Sequence, residues 1–294
     1  MNLNQRVLER LKDFGSDLEG FADSYAADGL QMAHGFIDGV RDISGRFVPG
    51  IGVAGDRALW LMALDLTWLL WLDDQIDTSA ASGRLIDWGP LLSIDDQAST
   101  SAEGRSFMKM RAYMSQEAPT SAAFTAWRDT AVALFHAYRE NWLLSAGERS
   151  WGYAEYLQNG EISIALPHFI STVSLACNYG MESRTDALHT RVIRNLAIAT
   201  RLQNDLASAE KERSVGDRAN AVLLVERFMT KDQAREFMQA ERLSYERALF
   251  KDLDLLPAHD PLVRLSRVIL ATMDVFYQDP RDRYALSPKV DTQT

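Results

Sequence analysis

Two acidic stretches of the chain contain oxygen-bearing residues of the kind that bind divalent cations. The first follows a very apolar run and includes Asp73 and Asp77, and the second includes Asn204, Ser208 and Glu212. On a helix, residues four apart share a face, so each set projects from one side of its own helix. Oxygen ligands on two facing helices suit Mg²⁺, which completes its coordination shell with water and substrate phosphates. The two stretches together predict a shared magnesium site.

The second stretch is the more informative of the two. Runs of acids at a helix surface are common and usually solvated, as the pair Asp95 and Asp96 illustrates. Taken alone, the first stretch also fits a charged helix end before a loop at residues 78–83. Asn and Ser are mediocre helix formers, so their presence in mid-helix at four-residue intervals indicates a specific use.

Helices are predicted almost everywhere, because apolar residues recur at three- and four-residue intervals. The predicted helices span residues 2–27, 59–77, 101–116, 121–144, 151–157, 163–179, 185–212, 219–228, 231–249 and 261–277. Proline and glycine fall between them, and strand-like alternation is nearly absent, so the fold is predicted to be all-α. A short polar loop at 214–217, just after Glu212, is predicted to act as a lid.

Composition limits the classes to which the chain can belong. Its 294 residues are 47% apolar without a compositional break, which predicts one domain over residues 1–294. The net charge of −10 argues against nucleic-acid binding. The longest apolar run, residues 59–72, is too short to span a membrane, and residues 1–20 lack a signal-peptide pattern. With a single cysteine, Cys177, these features predict a cytoplasmic protein without disulfides.

The two acidic stretches resemble the DDxxD and NDxxSxxxE motifs of class I terpene synthases. Residues 155–166 resemble the EYMxxGxxSxAL stretch of kaurene-synthase-type diterpene synthases. Residues 201–205 (Arg-Leu-Gln-Asn-Asp) and 220–222 (Asn-Ala-Val) resemble further motifs of the same group. Overall, the chain is most similar to the short bacterial class I enzymes that act on labdane-type diphosphates. The resemblance extends from about residue 60 to residue 284.

The resemblance implies a single-domain α-helical bundle around a central apolar cavity, and a role in bacterial diterpene metabolism. In that family three Mg²⁺ ions bind the diphosphate. The resemblance implies that Asp73 and Asp77 hold two of these ions. It implies that the third is held by Asn204, Ser208 and Glu212. The implied reaction ionises a bicyclic copalyl-type diphosphate. Cyclisation or deprotonation then gives a labdane-related hydrocarbon such as ent-kaurene, a pimaradiene or biformene.

Cationic residues complete the implied diphosphate site. Arg201 and Lys211 resemble family positions that contact diphosphate, and Arg283 with Tyr284 resembles the Arg-Tyr pair that closes over it. Many members also carry a diphosphate-sensing arginine in the region that reads Gln-Asn-Gly at residues 158–160 here. That arginine is therefore missing or displaced, which leaves open what couples diphosphate binding to closure.

Two segments are candidates for the cavity wall. Trp68 lies on a wide apolar face leading to the first acidic stretch; it is either ordinary core or an aromatic face for a carbocation. The second segment is residues 164–169, including Ile164, His168 and Phe169. Its Pro-His-Phe sequence at 167–169 departs from the plant relatives just where product is thought to be set. His168 is either a base facing the cavity or a structural histidine whose partners are all satisfied.

The chain has no DxDD motif, so if the substrate is a bicyclic copalyl-type diphosphate, a separate class II diterpene cyclase must make it. That cyclase need not bind this protein. Three alternatives remain: a cyclase of acyclic geranylgeranyl or farnesyl diphosphate, a chain-elongating prenyltransferase, and a non-enzymatic helical scaffold. A chain-elongating enzyme would carry two aspartate-rich motifs, and a scaffold would not need the Asn/Ser/Glu trio. A homodimer is also open.

Overall fold

The computed structural model describes residues 3–14, 51–82, 84–93, 101–178, 180 and 186–276. These ranges contain helices and no strand, which confirms the all-α prediction. The helices are α1 Leu3–Asp13, α2 Ile51–Ser82, α3 Gly89–Leu92, α4 Ala102–Glu117, α5 Ser121–Ser145, α6 Tyr153–Ser163, α7 Leu166–Cys177, α8 Ala187–Val215, α9 Ala221–Val225, α10 Lys231–Leu253 and α11 Pro261–Phe276.

Polar side chains fix the starts of the long helices. Ser101 caps α4, Thr120 caps α5, Asp186 caps α8 and Thr230 caps α10, each accepting a hydrogen bond from a backbone N–H of the first turn. Such caps satisfy donors that have no partner within the helix. They explain why these helices begin within a residue or two of the positions that the sequence predicts.

The ends of α2 and α8 lie later than predicted. The prediction of a loop at residues 78–83 is wrong, because α2 continues to Ser82. Ser79 is fully buried and its hydroxyl donates to the carbonyl of Ile76, so burial stabilises an extra turn. The loop predicted at 214–217 is shorter than expected, because α8 continues to Val215. Gly216, in a left-handed conformation (φ 76°), is the C-cap of α8.

The break between α6 and α7 differs from the predicted one. α6 continues through Gly160, where an added Cβ would lie 3.1 Å from the Cγ of Arg201, so glycine permits close packing against α8. The helix ends at Ser163 with Ile164 as its C-cap, and Ala165 is left-handed (φ 62°). Pro167 then lies in the first turn of α7, so the break precedes the proline by two residues.

Helix α8 lies at the centre of the arrangement. It packs along α10 and also contacts α6, α7 and α9, while α2 packs on α7 and α5 packs on both α6 and α7. α6 and α7 therefore separate α2, which carries the first acidic stretch, from much of α8, which carries the second. The buried aromatic side chains of α2, α4 and α5 fill the largest hydrophobic cluster.

One helical stretch of the described chain, Tyr153–Cys177, has the length and apolarity of a membrane span, with a mean hydropathy of 1.2. However, 67% of its most apolar window is buried inside the protein. The left-handed Ala165 interrupts it, and α7 packs against α2, α5 and α8. These features are those of a core element. The apolar run at 59–72, by contrast, lies within α2 and does not meet the same criterion.

Candidate active site

The last turns of α5 hold the ends of α2 and α8 at one end of the bundle. Trp142 Nε1 donates to Ser79 Oγ (3.1 Å), and Ser145 Oγ donates to Asp217 Oδ1 (2.6 Å). Ser79 closely follows the first acidic stretch, and Asp217 closely follows the second. Because Trp142 and Ser145 are one turn apart on the same helix, both stretches lie at the same end of the protein. This is the placement that a shared site requires.

The acids of α2 are described only in part. Asp73 and Asp74 are half-buried in its last turns. Asp77 lies on the same helix, but its side chain is outside the described residues. Where side chains are described, no three His, Cys, Asp or Glu residues converge as a metal-binding group. The predicted ligand set needs Asp77 and also includes Asn and Ser, so the metal site on α2 stays a prediction.

The second ligand set forms a ridge along α8. Ser208 is buried, and its Oγ donates to the carbonyl of Asn204 at 2.9 Å, a bond that serine often makes to the preceding turn. The same oxygen accepts a hydrogen bond from Asn220 Nδ2 at 3.3 Å. Asn204 and Glu212 are half-buried one turn to either side. The helical spacing thus places the three side chains on one face, as predicted.

The carboxyl group of Glu212 is in an environment that favours a bound cation. Burial, together with the nearby carboxylates of Asp205 and Asp217, raises the pKa of Glu212 to about 7, although Arg201 and the Ser208 hydroxyl act in the opposite direction. Glu212 Oε2 is buried and has no hydrogen-bond partner within the described ranges. A buried oxygen without a donor is costly, and a cation would satisfy it. The residues present therefore fit a metal at this position.

Arg201 takes part in a buried network that the sequence analysis missed. Its Nε donates to the hydroxyl of Tyr156 at 2.7 Å, and its Nη2 donates to the same hydroxyl and to the carbonyl of Ala219 at 2.8 Å. Arg201 also pairs with Asp205 at 3.0 Å on the same helix. The guanidinium thus ties α6 and the α8–α9 loop to α8, and its contact with diphosphate stays a prediction.

Asp205 is the acidic centre of this network. It is fully buried and accepts the phenol proton of Tyr156, with both carboxylate oxygens within 2.9 Å of the hydroxyl. Burial raises the pKa of Tyr156 far above its ordinary value, so the phenol remains a donor. Asp205 Oδ2 also accepts the backbone N–H of Ala221 at 3.1 Å. The carboxylate of Asp205 therefore holds α6 and the α8–α9 loop against α8.

Three further residues, Lys211, Arg283 and Tyr284, are candidates for binding the diphosphate. Lys211 is half-buried on α8, next to Glu212. Arg283 and Tyr284 lie outside the described residues. The diphosphate contacts of all three stay predictions.

Trp68 lies in an aromatic cluster of the core. Its ring stacks on Phe107 at 5.9 Å and meets Phe135 edge-on at 5.9 Å, and its Nε1 donates to Ser106 Oγ at 2.6 Å. Trp68 is fully buried. This packing agrees with the interpretation of Trp68 as ordinary core. Its place in a cavity wall stays a prediction, as do those of the half-buried Ile164 and the buried Phe169.

His168 is held on both sides of its ring. Nε2 lies 3.3 Å from Asp65 Oδ2, and Nδ1 lies 3.2 Å from Thr130 Oγ1. Asp65 also accepts hydrogen bonds from Thr172 (2.7 Å) and Trp127 (3.3 Å), and both His168 and Asp65 are buried. These contacts join α2, α5 and α7. They favour the interpretation of His168 as a structural histidine over that of a base facing a cavity. They also explain why an acidic residue, Asp65, interrupts the apolar run at 59–72.

Replacing His168 by alanine is expected to lower the free energy of unfolding by about 1–3 kcal/mol, because Asp65 and Thr130 each lose a buried partner. Urea denaturation of the variant and the wild type measures this difference. His136→Ala, on the exposed side of α5, is the matched control and should change stability by about 0.5 kcal/mol or less. An unchanged stability with an altered product would support the cavity-facing interpretation instead.

An open cleft of about 680 Å³ lies at the same end of the bundle. The loop after α5 and the loop after α8 form its walls, and its lining includes Arg149, Arg218 and Arg227 together with Asp217. The sequence analysis missed these arginines. The available signal was weak: Arg149 and Arg218 lie in short polar loops after α5 and α8, and Arg227 follows the short helix α9.

Residues 66–246 match the family described as terpene synthase family 2, C-terminal metal binding. The match covers more than half of the chain and includes both acidic stretches. The chain belongs to this family. This terpene synthase is therefore an enzyme, a lyase that acts on a prenyl diphosphate, and its matched domain is a metal-binding one.

Solved terpene synthases share the fold of this terpene synthase. Linalool/nerolidol synthase from Streptomyces clavuligerus, in complex with 2-fluorogeranyl diphosphate, has a TM-score of 0.68 at 16% identity over 94% of each chain. 2-Methylisoborneol synthase from Streptomyces coelicolor A3(2), in complex with Mg²⁺ and geranyl-S-thiolodiphosphate, has a TM-score of 0.69 at 17% identity, covering 93% of this chain and 89% of the other. Abietadiene synthase from Abies grandis has a TM-score of 0.63 at 14% identity, covering 94% of this chain and 37% of the other. At such identities the likeness establishes the α-helical class I fold.

Proposed function

We propose that this terpene synthase is a class I diterpene synthase of the labdane-related type, acting on a bicyclic copalyl-type diphosphate. The observation that carries the proposal is the network of Tyr156, Arg201, Asp205 and the 219–221 loop. Three phrases of the sequence resemble those enzymes, in α6, in α8 and at the start of α9, and all three contribute to it. The likeness is thus to one connected structural unit, which scattered chance matches would not produce.

The ligand ridge of α8 and the acids of α2 would hold Mg²⁺ in this proposal. Asp73 and Asp77 are assigned two ions, and Asn204, Ser208 and Glu212 a third. When bound, Mg²⁺ stabilises the negative charge that develops on the departing diphosphate as the carbon–oxygen bond breaks. The orphaned Glu212 Oε2 supports the part of the assignment on α8.

The remaining residues have two tasks, to guide the anionic substrate and to exclude water. Arg218 and Arg227 line the cleft beside the acidic helix ends and would attract the diphosphate electrostatically, despite the overall negative charge. Arg149 also lines the cleft, where it pairs with Glu140. Apolar and aromatic side chains behind the metal site, including Ile164 and Phe169, would keep water from quenching the carbocation to an alcohol. The released diphosphate can accept the final proton, so no dedicated base is required.

The proposal also places the enzyme in a cellular context. A separate class II cyclase would supply the copalyl-type diphosphate, and this protein would work in the cytoplasm as one domain over residues 1–294. No contact with the class II enzyme is required. A homodimer is compatible with this arrangement.

A second candidate is cyclisation of an acyclic prenyl diphosphate. The structurally similar linalool/nerolidol synthase was solved with 2-fluorogeranyl diphosphate, an acyclic ligand. That ligand supports an acyclic prenyl diphosphate, geranylgeranyl or farnesyl diphosphate, as the alternative substrate.

The test is incubation with Mg²⁺ and a panel of farnesyl, geranylgeranyl and copalyl-type diphosphates, followed by gas chromatography of the hexane extract. We expect hydrocarbon from a copalyl-type diphosphate and no copalyl-type intermediate from geranylgeranyl diphosphate, because the chain lacks a protonating motif. Reactions with EDTA serve as the control. Conversion of only the acyclic substrates would favour the second candidate and contradict the first.

A further inference from the structure

Asn220 contacts the ligand ridge from the loop before α9. It is fully buried, and its Nδ2 donates to Ser208 Oγ (3.3 Å) and to the carbonyl of Asp205 (2.9 Å). Its Oδ1 accepts the backbone N–H groups of Val222 (2.8 Å) and Leu223 (3.3 Å), which caps α9. These two backbone donors fix the orientation of the amide, so its nitrogen must face Ser208.

We propose that Asn220 is a positioning residue that orients the Ser208 hydroxyl toward a divalent cation. The proposal rests on the proposed function, in which Ser208 is a metal ligand. A serine hydroxyl has one proton and two lone pairs. Here the proton points to the carbonyl of Asn204, and one lone pair accepts from Asn220. The remaining lone pair has a fixed direction and is available to a cation.

The loop that carries Asn220 is itself fixed on both sides. The preceding carbonyl, that of Ala219, accepts from Arg201 Nη2 at 2.8 Å. The following backbone N–H, that of Ala221, donates to Asp205 Oδ2 at 3.1 Å. The amide of Asn220 is therefore preorganised before any ligand binds. Groups of this kind, which hold a metal ligand without touching the metal, typically contribute a factor of about 10–100 in metal affinity.

The alternative partner of Ser208 explains why orientation matters. Glu212 lies one turn away on the same face of α8 and can also accept the proton of the Ser208 hydroxyl. Without Asn220, no donor from the α8–α9 loop fixes the lone pairs of Ser208, and the hydroxyl can rotate between the carbonyl of Asn204 and Glu212. A lone pair of Ser208 and a carboxylate oxygen of Glu212 would then no longer face the same cation.

Asn220→Ser separates the two roles of this residue, since serine also caps helices but cannot donate across to Ser208. Asn220→Ala removes both roles. The measurement is calorimetric titration of Mg²⁺ into each protein in the presence of inorganic diphosphate, which needs no turnover. We expect both variants to bind Mg²⁺ about 10–100-fold more weakly than the wild type. Both variants lose the hydrogen bond to the carbonyl of Asp205, and Asn220→Ala should have a Tm lower than that of Asn220→Ser by a few degrees, on the order expected for a lost cap.

A double-mutant cycle completes the test. In a Ser208→Ala background, Asn220→Ser should have no further effect on Mg²⁺ affinity, because Asn220 acts through Ser208. Wild-type Mg²⁺ affinity in Asn220→Ser, or an equal effect in both backgrounds, would overturn the proposal while leaving the proposed function intact. A wild-type protein that binds no Mg²⁺ with diphosphate would overturn both.

Discussion

Alanine at Asp73 or at Asn204 is expected to reduce turnover of the prenyl diphosphate by about a thousandfold, on the scale of losing one preorganised electrostatic group from an active site. Each change removes a proposed metal ligand, from α2 in one case and from α8 in the other. Both side chains are half-buried, so neither truncation leaves a large cavity. The helical circular dichroism signal should therefore remain that of the wild type.

The assay is product formation at saturating Mg²⁺, measured by gas chromatography beside circular dichroism and thermal unfolding of each variant. Asp129→Ala is a suitable control, because Asp129 is an exposed acid of α5 that pairs with its neighbour Arg128. This control should retain wild-type turnover. Undiminished turnover in either Asp73→Ala or Asn204→Ala would remove the metal-site assignment.

Helix content was predictable from local signals, and helix ends were less so. α5, observed as Ser121–Ser145, was predicted within one residue, since its apolar period and its Thr120 cap are local in sequence. The continuation of α6 through Gly160 was not predictable in the same way. It depends on close packing against Arg201, a residue distant in sequence, and glycine by itself signals a break.

The ligand face of α8 could be predicted from the sequence, because any helix places Asn204, Ser208 and Glu212, which are four residues apart, on one side. The network of Tyr156, Arg201 and Asp205 could not be predicted from that spacing. In the sequence, Asp205 and Arg201 look like further members of the same acidic and basic motif. Their contacts with Tyr156 and the α8–α9 loop show that they also hold helices together, and these tertiary contacts cannot be read from the sequence. His168 illustrates the same limit, since its partner Asp65 is distant in sequence and joins it only through helix packing.

Alanine substitutions at the neighbouring residues Asn204 and Asp205 should therefore have different effects: the first should reduce turnover, and the second should reduce stability. Asp205→Ala is expected to lower the free energy of unfolding by about 3–5 kcal/mol, because it leaves the guanidinium of Arg201 buried without its counter-charge. The backbone N–H of Ala221 also loses its acceptor, and the hydroxyl of Tyr156 keeps only the carbonyl of Ala219 at 3.0 Å. In a chain of this size the Tm should fall on the order of 10 °C.

Glu210→Ala on the same helix is the matched control for Asp205→Ala. Glu210 is half-exposed and pairs with Arg213 and Lys231, and surface pairs of this kind contribute about 0–1 kcal/mol. Thermal and urea unfolding of both variants distinguish the two environments. Adding Arg201→Met to Asp205→Leu should recover part of the loss, since it removes the unpaired charge and fills the space with apolar atoms. Equal destabilisation by Asp205→Ala and Glu210→Ala would show that the buried pair does not hold α8 against α6 and the α8–α9 loop.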